Sequence, residues 1–154
     1  MILRLSTAHR TALRDHALAA YPKECCGLLI GRDGEGEGAA TTTGALLVTK
    51  VLPSVNQDPA GGARAFEVDP ELILTWHKRL RGTPERIVGH YHSHPDEPAR
   101  PSATDLERAW EPGMIWLIVG VGRGLAEIAA FQYQEEGRGP ATRRSFEPVE
   151  MTEG

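Results

Sequence analysis

Apolar residues recur along this chain with two periods, and the changes of period divide it into short strands and helices. Met1 to Leu5 reads as a first strand. Ser6 is a candidate N-cap, and Thr7 to Ala20 carries Leu13, Ala17 and Ala20 near helical spacing before Pro22 stops the helix. Cys26 to Gly31 is a continuous apolar run, the pattern of a strand covered on both faces. A glycine-rich stretch from Asp33 to Gly44 predicts a hairpin loop, and Ala45 to Leu52 returns as a strand. Pro53 to Arg64 is a second loop, followed by an expected short strand from Ala65 to Val68. Asp69-Pro70 starts a helix whose Leu72, Ile73, Trp76 and Leu80 form one stripe ending at Gly82. Arg86 to His92 reads as a strand, and Ser102 to Glu111 as a helix closed by Pro112-Gly113. Met114 to Val121 and Ala126 to Tyr133 pair around Gly122-Arg123-Gly124. Arg144 to Val149 adds a last strand after the loop Glu135 to Thr142.

Strands interleaved with helices define an α/β fold, and the hairpins make its sheet mixed. With 154 residues at 40% hydrophobic and no internal repeat, one domain spanning 1–154 is expected. Composition then narrows the setting. The formal charge of -4 argues against a nucleic-acid partner, which favours a basic face. No apolar run reaches spanning length and no leader pattern is visible, so neither membrane insertion nor export is expected. Cys25 and Cys26 are adjacent, a poor disulfide geometry, and fit a reducing, cytoplasmic compartment.

The chemistry concentrates in Gly89-His90-Tyr91-His92-Ser93-His94-Pro95 and Arg100-Pro101-Ser102-Ala103-Thr104-Asp105. Alternate strand residues share a face, so His92 and His94 present two imidazoles side by side. Pro95 keeps His94 extended, and Pro98 and Pro101 stiffen the return. Ser102 caps the next helix and places Asp105 in its first turn. Two nitrogens and a carboxylate oxygen make a three-ligand zinc site with a position left for water. Two blander readings compete. His-x-His on a strand can be a packed pair, and Ser-x-x-Asp can be a simple capping box. The cap and ligand roles are compatible.

These residues, with the upstream segment Tyr21-Pro22-Lys23-Glu24-Cys25-Cys26-Gly27, resemble the JAMM (MPN+) zinc metalloprotease signature. That signature runs His-x-His-Pro, then Pro-Ser-x-x-Asp, with an earlier Pro-x-Glu-x-Cys-Gly element, and the resemblance covers most of the chain. It implies the JAMM/MPN (cytidine-deaminase-like) architecture, a curved mixed sheet flanked by helices. It also implies one zinc per chain at His92, His94 and Asp105. Glu24, which sequence alone would leave as a surface charge, becomes the general base, and Ser102 a hydrogen-bond donor to the oxyanion. The compact length is similar to the prokaryotic branch, which acts on ubiquitin-like sulfur-carrier proteins. Relatives there remove cysteine, other amino acids or short extensions from carrier C-termini. The partner implied is such a carrier with an extended Gly-Gly tail, which could join a sheet edge as an added strand. The loops Asp33 to Gly44 and Pro53 to Arg64 are the expected walls of its groove. A homodimer is left open.

Other residues carry less. Cys26 is expected as a buried small hydrophobe, and neither cysteine shows the surroundings of a nucleophile. His90 shares the face of His92 and His94, either as a packed core histidine or as a group behind the ligands. His9, His16 and His77 are expected at the surface, and Trp76, Trp110 and Trp116 in the core. Two alternatives to carrier processing remain, a non-catalytic MPN scaffold and a hydrolase of small peptides. A nucleoside deaminase is disfavoured because the chain has no Pro-Cys-x-x-Cys pair.

Overall fold

A computed structural model describes residues 1–34 and 44–154. Most of the expected hairpin loop Asp33 to Gly44 therefore lies outside the described residues. The chain runs β1 (Ile2–Arg4), α1 (Thr7–Ala20), β2 (Cys26–Gly34), β3 (Ala45–Ser54), α2 (Pro70–Leu80), β4 (Arg86–Pro95), α3 (Ala103–Arg108), β5 (Ile115–Gly122), β6 (Leu125–Glu136) and β7 (Arg143–Thr152). The caps fall where the sequence puts them. Ser6 Oγ accepts the His9 N–H at 3.1 Å, and an Asp69 carboxylate oxygen accepts the Glu71 N–H at 3.0 Å ahead of Pro70. Between β5 and β6, Gly122, Arg123 and Gly124 all have positive φ (90°, 49° and 79°), as a tight hairpin turn requires.

The strands order as β1-β3-β2-β4-β5-β6-β7 and the sheet closes, because β1 lies parallel to both β3 and β7. β4 and β5 are also parallel, and the remaining pairs are antiparallel. The sheet is thus mixed, as expected, and closed into a barrel. β1 is too short to cover its neighbours: it pairs with β3 only at Ala45–Leu47, so among the described residues β3 from Val48 to Ser54 keeps a free edge on that side, where the expected strand addition has room.

Helices cover both faces of the sheet. Leu13 and Ala17 of α1 pack with Leu29, Tyr91, Leu117 and Val119 on one face. On the other, Leu72 and Ile73 of α2 pack against Leu28 and Ile87, while Leu106 of α3 joins Trp116 and Tyr133. The imidazoles of β4 stand on this second face, between α2 and α3, with the His90 ring 4.3 Å from that of Trp116.

Four local expectations change. Ala65 to Val68 is no strand, and only a single bridge joins Asn56 to Val68. The Asn56 side chain takes the Glu67 N–H and the Ala65 carbonyl, groups that a ladder would have used. α3 ends at Arg108, not Glu111, because Arg144 of β7 binds the carbonyls of Leu106 and Ala109 and closes the helix there. Trp110, beyond that end, is 79% exposed, whereas Trp116 is buried and Trp76 half-buried beneath the Arg79 guanidinium. His16 turns inward, its Nδ1 2.8 Å from the buried Tyr91 hydroxyl, and His9 is half-buried.

Candidate active site

β4 brings His92 and His94 to one face as strand alternation demands, and both are buried. Their Nε2 atoms lie 3.0 Å apart, and each is 3.3 Å from Asp105 Oδ2. Asp105 reaches them from the first turn of α3. Ser102 caps that turn reciprocally: its Oγ accepts the Asp105 N–H at 3.1 Å, and Asp105 Oδ2 accepts the Ser102 N–H at 2.9 Å. The capping box and the convergence on the histidines are therefore one arrangement. Because Ser102 Oγ is an acceptor in that bond, its own hydrogen is free to donate.

The return loop fixes His94. Its Nδ1 lies 3.1 Å from the Pro98 carbonyl, so the ring donates there and turns Nε2 toward His92 and Asp105. Gly120, the β5 partner of His94, makes this approach possible. A Cβ there would stand 2.9 Å from the Glu97 carbonyl oxygen and 3.1 Å from the Ala99 nitrogen. Ala99 in turn donates its N–H to Glu127 at 2.8 Å.

Glu24 is 6% exposed, and one of its carboxylate oxygens lies within 4.8 Å of the donor atoms of both histidines. Burial raises its pKa to about 7, with Asp105, Glu97 and Asp58 adding to the rise and His94 opposing it. Asp105 behaves oppositely. Burial alone would raise it, but hydrogen bonds from His92 and His94 hold it well below the usual carboxylate range. His92 is lowered, burial outweighing Asp105, while at His94 burial is outweighed by Asp105 and the Pro98 carbonyl, and its pKa rises.

The donor set fits a divalent cation. Bonds of about 2.0–2.1 Å in a tetrahedral site place neighbouring donor atoms about 3.3 Å apart. The three contacts among His92, His94 and Asp105 are 3.0, 3.3 and 3.3 Å. Two imidazole nitrogens and a carboxylate oxygen thus converge at one buried point. A cation serves all three atoms. Glu24 lies close enough to both histidines to be counted with them, but Asp105 makes the tighter triangle. Glu24 is left at its margin.

The structure brings together all five residues singled out in the sequence, Glu24, His92, His94, Ser102 and Asp105. Cys25 and Cys26 are buried and free, and burial pushes the Cys26 thiol up to about 12, which suits packing and not nucleophilic attack. His90 is held neutral by burial, its pKa near 3, between Trp116 and Phe66. It forms part of the wall of an apolar cleft of about 650 Å³ that Phe66, Ile73, Trp110 and Trp116 also line, and His77 lies exposed at that cleft.

Sequence reasoning passed over three residues. Phe66 stacks on His92 with ring centroids 4.1 Å apart and planes 14° from parallel. Ser93, between the two histidines, accepts the Cys25 N–H on its Oγ at 2.8 Å and donates its own N–H to the Cys25 carbonyl at 3.1 Å. Asn56 binds the Glu24 main chain. Strand alternation could have pointed Ser93 away from the imidazole face; nothing in the composition of its loop distinguishes Asn56.

A buried His/His/carboxylate cluster whose donor set fits a metal ion, at the end of a parallel strand pair, defines a class, and comparison with known proteins supplies it. The chain belongs to the prokaryotic homologs of the JAB domain, whose family model matches residues 6–134. Among curated proteins it is similar to a desampylase of Haloferax volcanii, 37% identical over 105 residues, which are 68% of this chain and 68% of that protein. It is also similar to a probable TtuB-protein conjugate cleaving protease of Thermus thermophilus, 33% identical over 96 residues, 62% of this chain and 55% of that one. A protein of Desulfitobacterium hafniense solved in solution matches with TM-score 0.74 and 30% identity, covering 100% of this chain and 94% of that chain. A second solution structure, from Salinibacter ruber, matches with TM-score 0.56 and 31% identity over 97% of this chain and 91% of that chain.

Proposed function

We propose that this chain is a zinc metallopeptidase that hydrolyses the amide or isopeptide bond after the C-terminal Gly-Gly of a ubiquitin-like sulfur-carrier protein. The leaving group is cysteine, another amino acid, a short extension or a conjugated protein. The observation that carries the reading is the buried triangle of His92, His94 and Asp105 with Glu24 at its margin. The relatives' names, a desampylase and a protease cleaving TtuB-protein conjugates, support the substrate class. Free, buried Cys25 and Cys26 support a cytoplasmic setting.

His92, His94 and Asp105 would hold the zinc, which when bound acidifies a water and polarises the scissile carbonyl. Glu24 takes the proton of the attacking water and delivers it to the departing amine. In the metal-free site burial raises this carboxyl to about 7, the direction that favours a group exchanging a proton near neutral pH. Ser102, with its hydroxyl hydrogen uncommitted, donates to the oxygen that gains charge in the tetrahedral intermediate. Phe66 covers one face of His92 and keeps water from it. Buried Cys25 and Cys26, with their thiol pKa values raised by burial, are unsuited to covalent attack, and the route needs no acyl-enzyme.

The test is intact-mass spectrometry of a carrier bearing one residue after Gly-Gly, incubated with zinc-loaded wild type and with Glu24→Gln. Wild type should remove only the added residue. The variant should be slower by about 10²–10⁴, the usual worth of a general base. Equal turnover by Glu24→Gln would end the assignment of Glu24, and an unchanged carrier mass with wild type would end the substrate assignment.

A further inference from the structure

The loop between β3 and α2 is tied to the main chain of Glu24. Asn56 near its start has every hydrogen-bonding place of its amide used. Nδ2 donates to the carbonyls of Glu24 and Ala65, each at 3.1 Å, and Oδ1 accepts the N–H groups of Asp58 at 3.0 Å and Glu67 at 2.9 Å. Two carbonyls on one side and two N–H groups on the other fix the orientation of the amide. The same loop takes the Glu24 N–H on the Gly62 carbonyl at 2.7 Å, and the Gly62 N–H is held by Asp58 Oδ2 at 3.0 Å. The peptide groups on both sides of the Glu24 Cα are thus bound to one loop. That loop then delivers Phe66, the residue after Ala65, onto the His92 ring.

We propose that Asn56 is a positioning residue for Glu24. By closing the loop 56–67 on itself and onto the Glu24 carbonyl, it keeps the Glu24 carboxylate in register with the imidazoles that Phe66 covers. The inference rests on Glu24 as the proton carrier for its catalytic consequence, but its geometric part stands alone. A neutral amide is required, because only it offers two donors and two acceptors at one point. Aspartate, of the same shape, would keep the bonds from Asp58 and Glu67 and turn an oxygen against the carbonyls of Glu24 and Ala65.

Two measurements on Asn56→Asp test this. The first is amide hydrogen exchange in the zinc-loaded protein, followed by NMR. Exchange at Glu24 should quicken by roughly tenfold or more, while amides of β5 and the zinc stoichiometry stay as in wild type. The second is turnover of the carrier substrate, where kcat should fall by roughly tenfold or more with KM nearly unchanged, as for a misplaced group. In a Glu24→Gln background the same substitution should bring no further loss, because the group it positions is already disabled. Exchange at Glu24 equal to wild type, or an equal loss in both backgrounds, would overturn the proposal. Asn56→Ser replaces Asn56→Asp should the latter not fold; if neither folds, Asn56 is a structural residue and the proposal fails. If wild type cleaves no carrier, the functional reading fails by itself, and the exchange measurement still decides the role of Asn56.

Discussion

Glu24 is a carboxyl buried beside two imidazoles and the Asp105 carboxylate, and its folded-state pKa, raised from 4.5 to about 7, records the cost of charging it there. A raised carboxyl pKa means that the folded state binds the proton more tightly than the unfolded state. Its contribution to stability is complete below pH 4.5 and is lost as the pH rises through about 7. In zinc-free protein, wild type should therefore lose stability relative to Glu24→Gln across that window, by about 2 kcal/mol after allowance for partial solvation. Chemical denaturation of both proteins at several pH values checks this. Parallel stability profiles would show that Glu24 titrates normally. The cluster of His92, His94, Ser102 and Asp105 was legible in the sequence through spacing, a two-residue strand repeat and one helical turn, whereas Glu24 came only from the family resemblance. Asn56 and Phe66 were not legible, since they act across the chain by hydrogen bonding and stacking, which no local pattern announces.

At the scale of elements, the site depends on two short pieces held from outside. α3 is only Ala103–Arg108, and its C-terminal carbonyls are bound by Arg144 from β7. The sequence showed where this helix begins, through Ser102, but extended it to Glu111, because its end is set by a residue distant in the chain. The return loop after β4 sits against Gly120, where a side chain has no room. Gly120→Ala should push the segment 97–99 away and weaken the hold of the Pro98 carbonyl on His94. Zinc affinity should then fall by about 10–100-fold, the usual effect of disturbing a group behind a metal ligand. Competition with a chelating indicator measures it, and an unchanged affinity would mean that the loop does not orient His94.

For the whole molecule, the α/β class, the mixed sheet and the helix and strand order, apart from the strand expected at Ala65 to Val68, followed from hydrophobic period and caps, whereas closure of the sheet did not. It is made by β1, three residues long and parallel to both β3 and β7, and a strand that short carries no signal of its neighbours. Closure leaves α1 on one face and α2 and α3 on the other, and the polar chemistry lies where the second face meets the corner before β2. His16 and Trp110 were misplaced for the same reason. Their exposure depends on what the closed sheet sets opposite them, Tyr91 in one case and an open cleft in the other.

The central claim is that Asp105 completes the metal site with His92 and His94, while Glu24 stands beside it without being a ligand. The most direct test is zinc stoichiometry, by elemental analysis of purified and dialysed wild type, His92→Ala, Asp105→Ala and Glu24→Gln. The account predicts about one zinc per chain in wild type and Glu24→Gln, and close to none in the other two. Full occupancy in Asp105→Ala, or loss of zinc in Glu24→Gln, would contradict it and make Glu24 the third ligand.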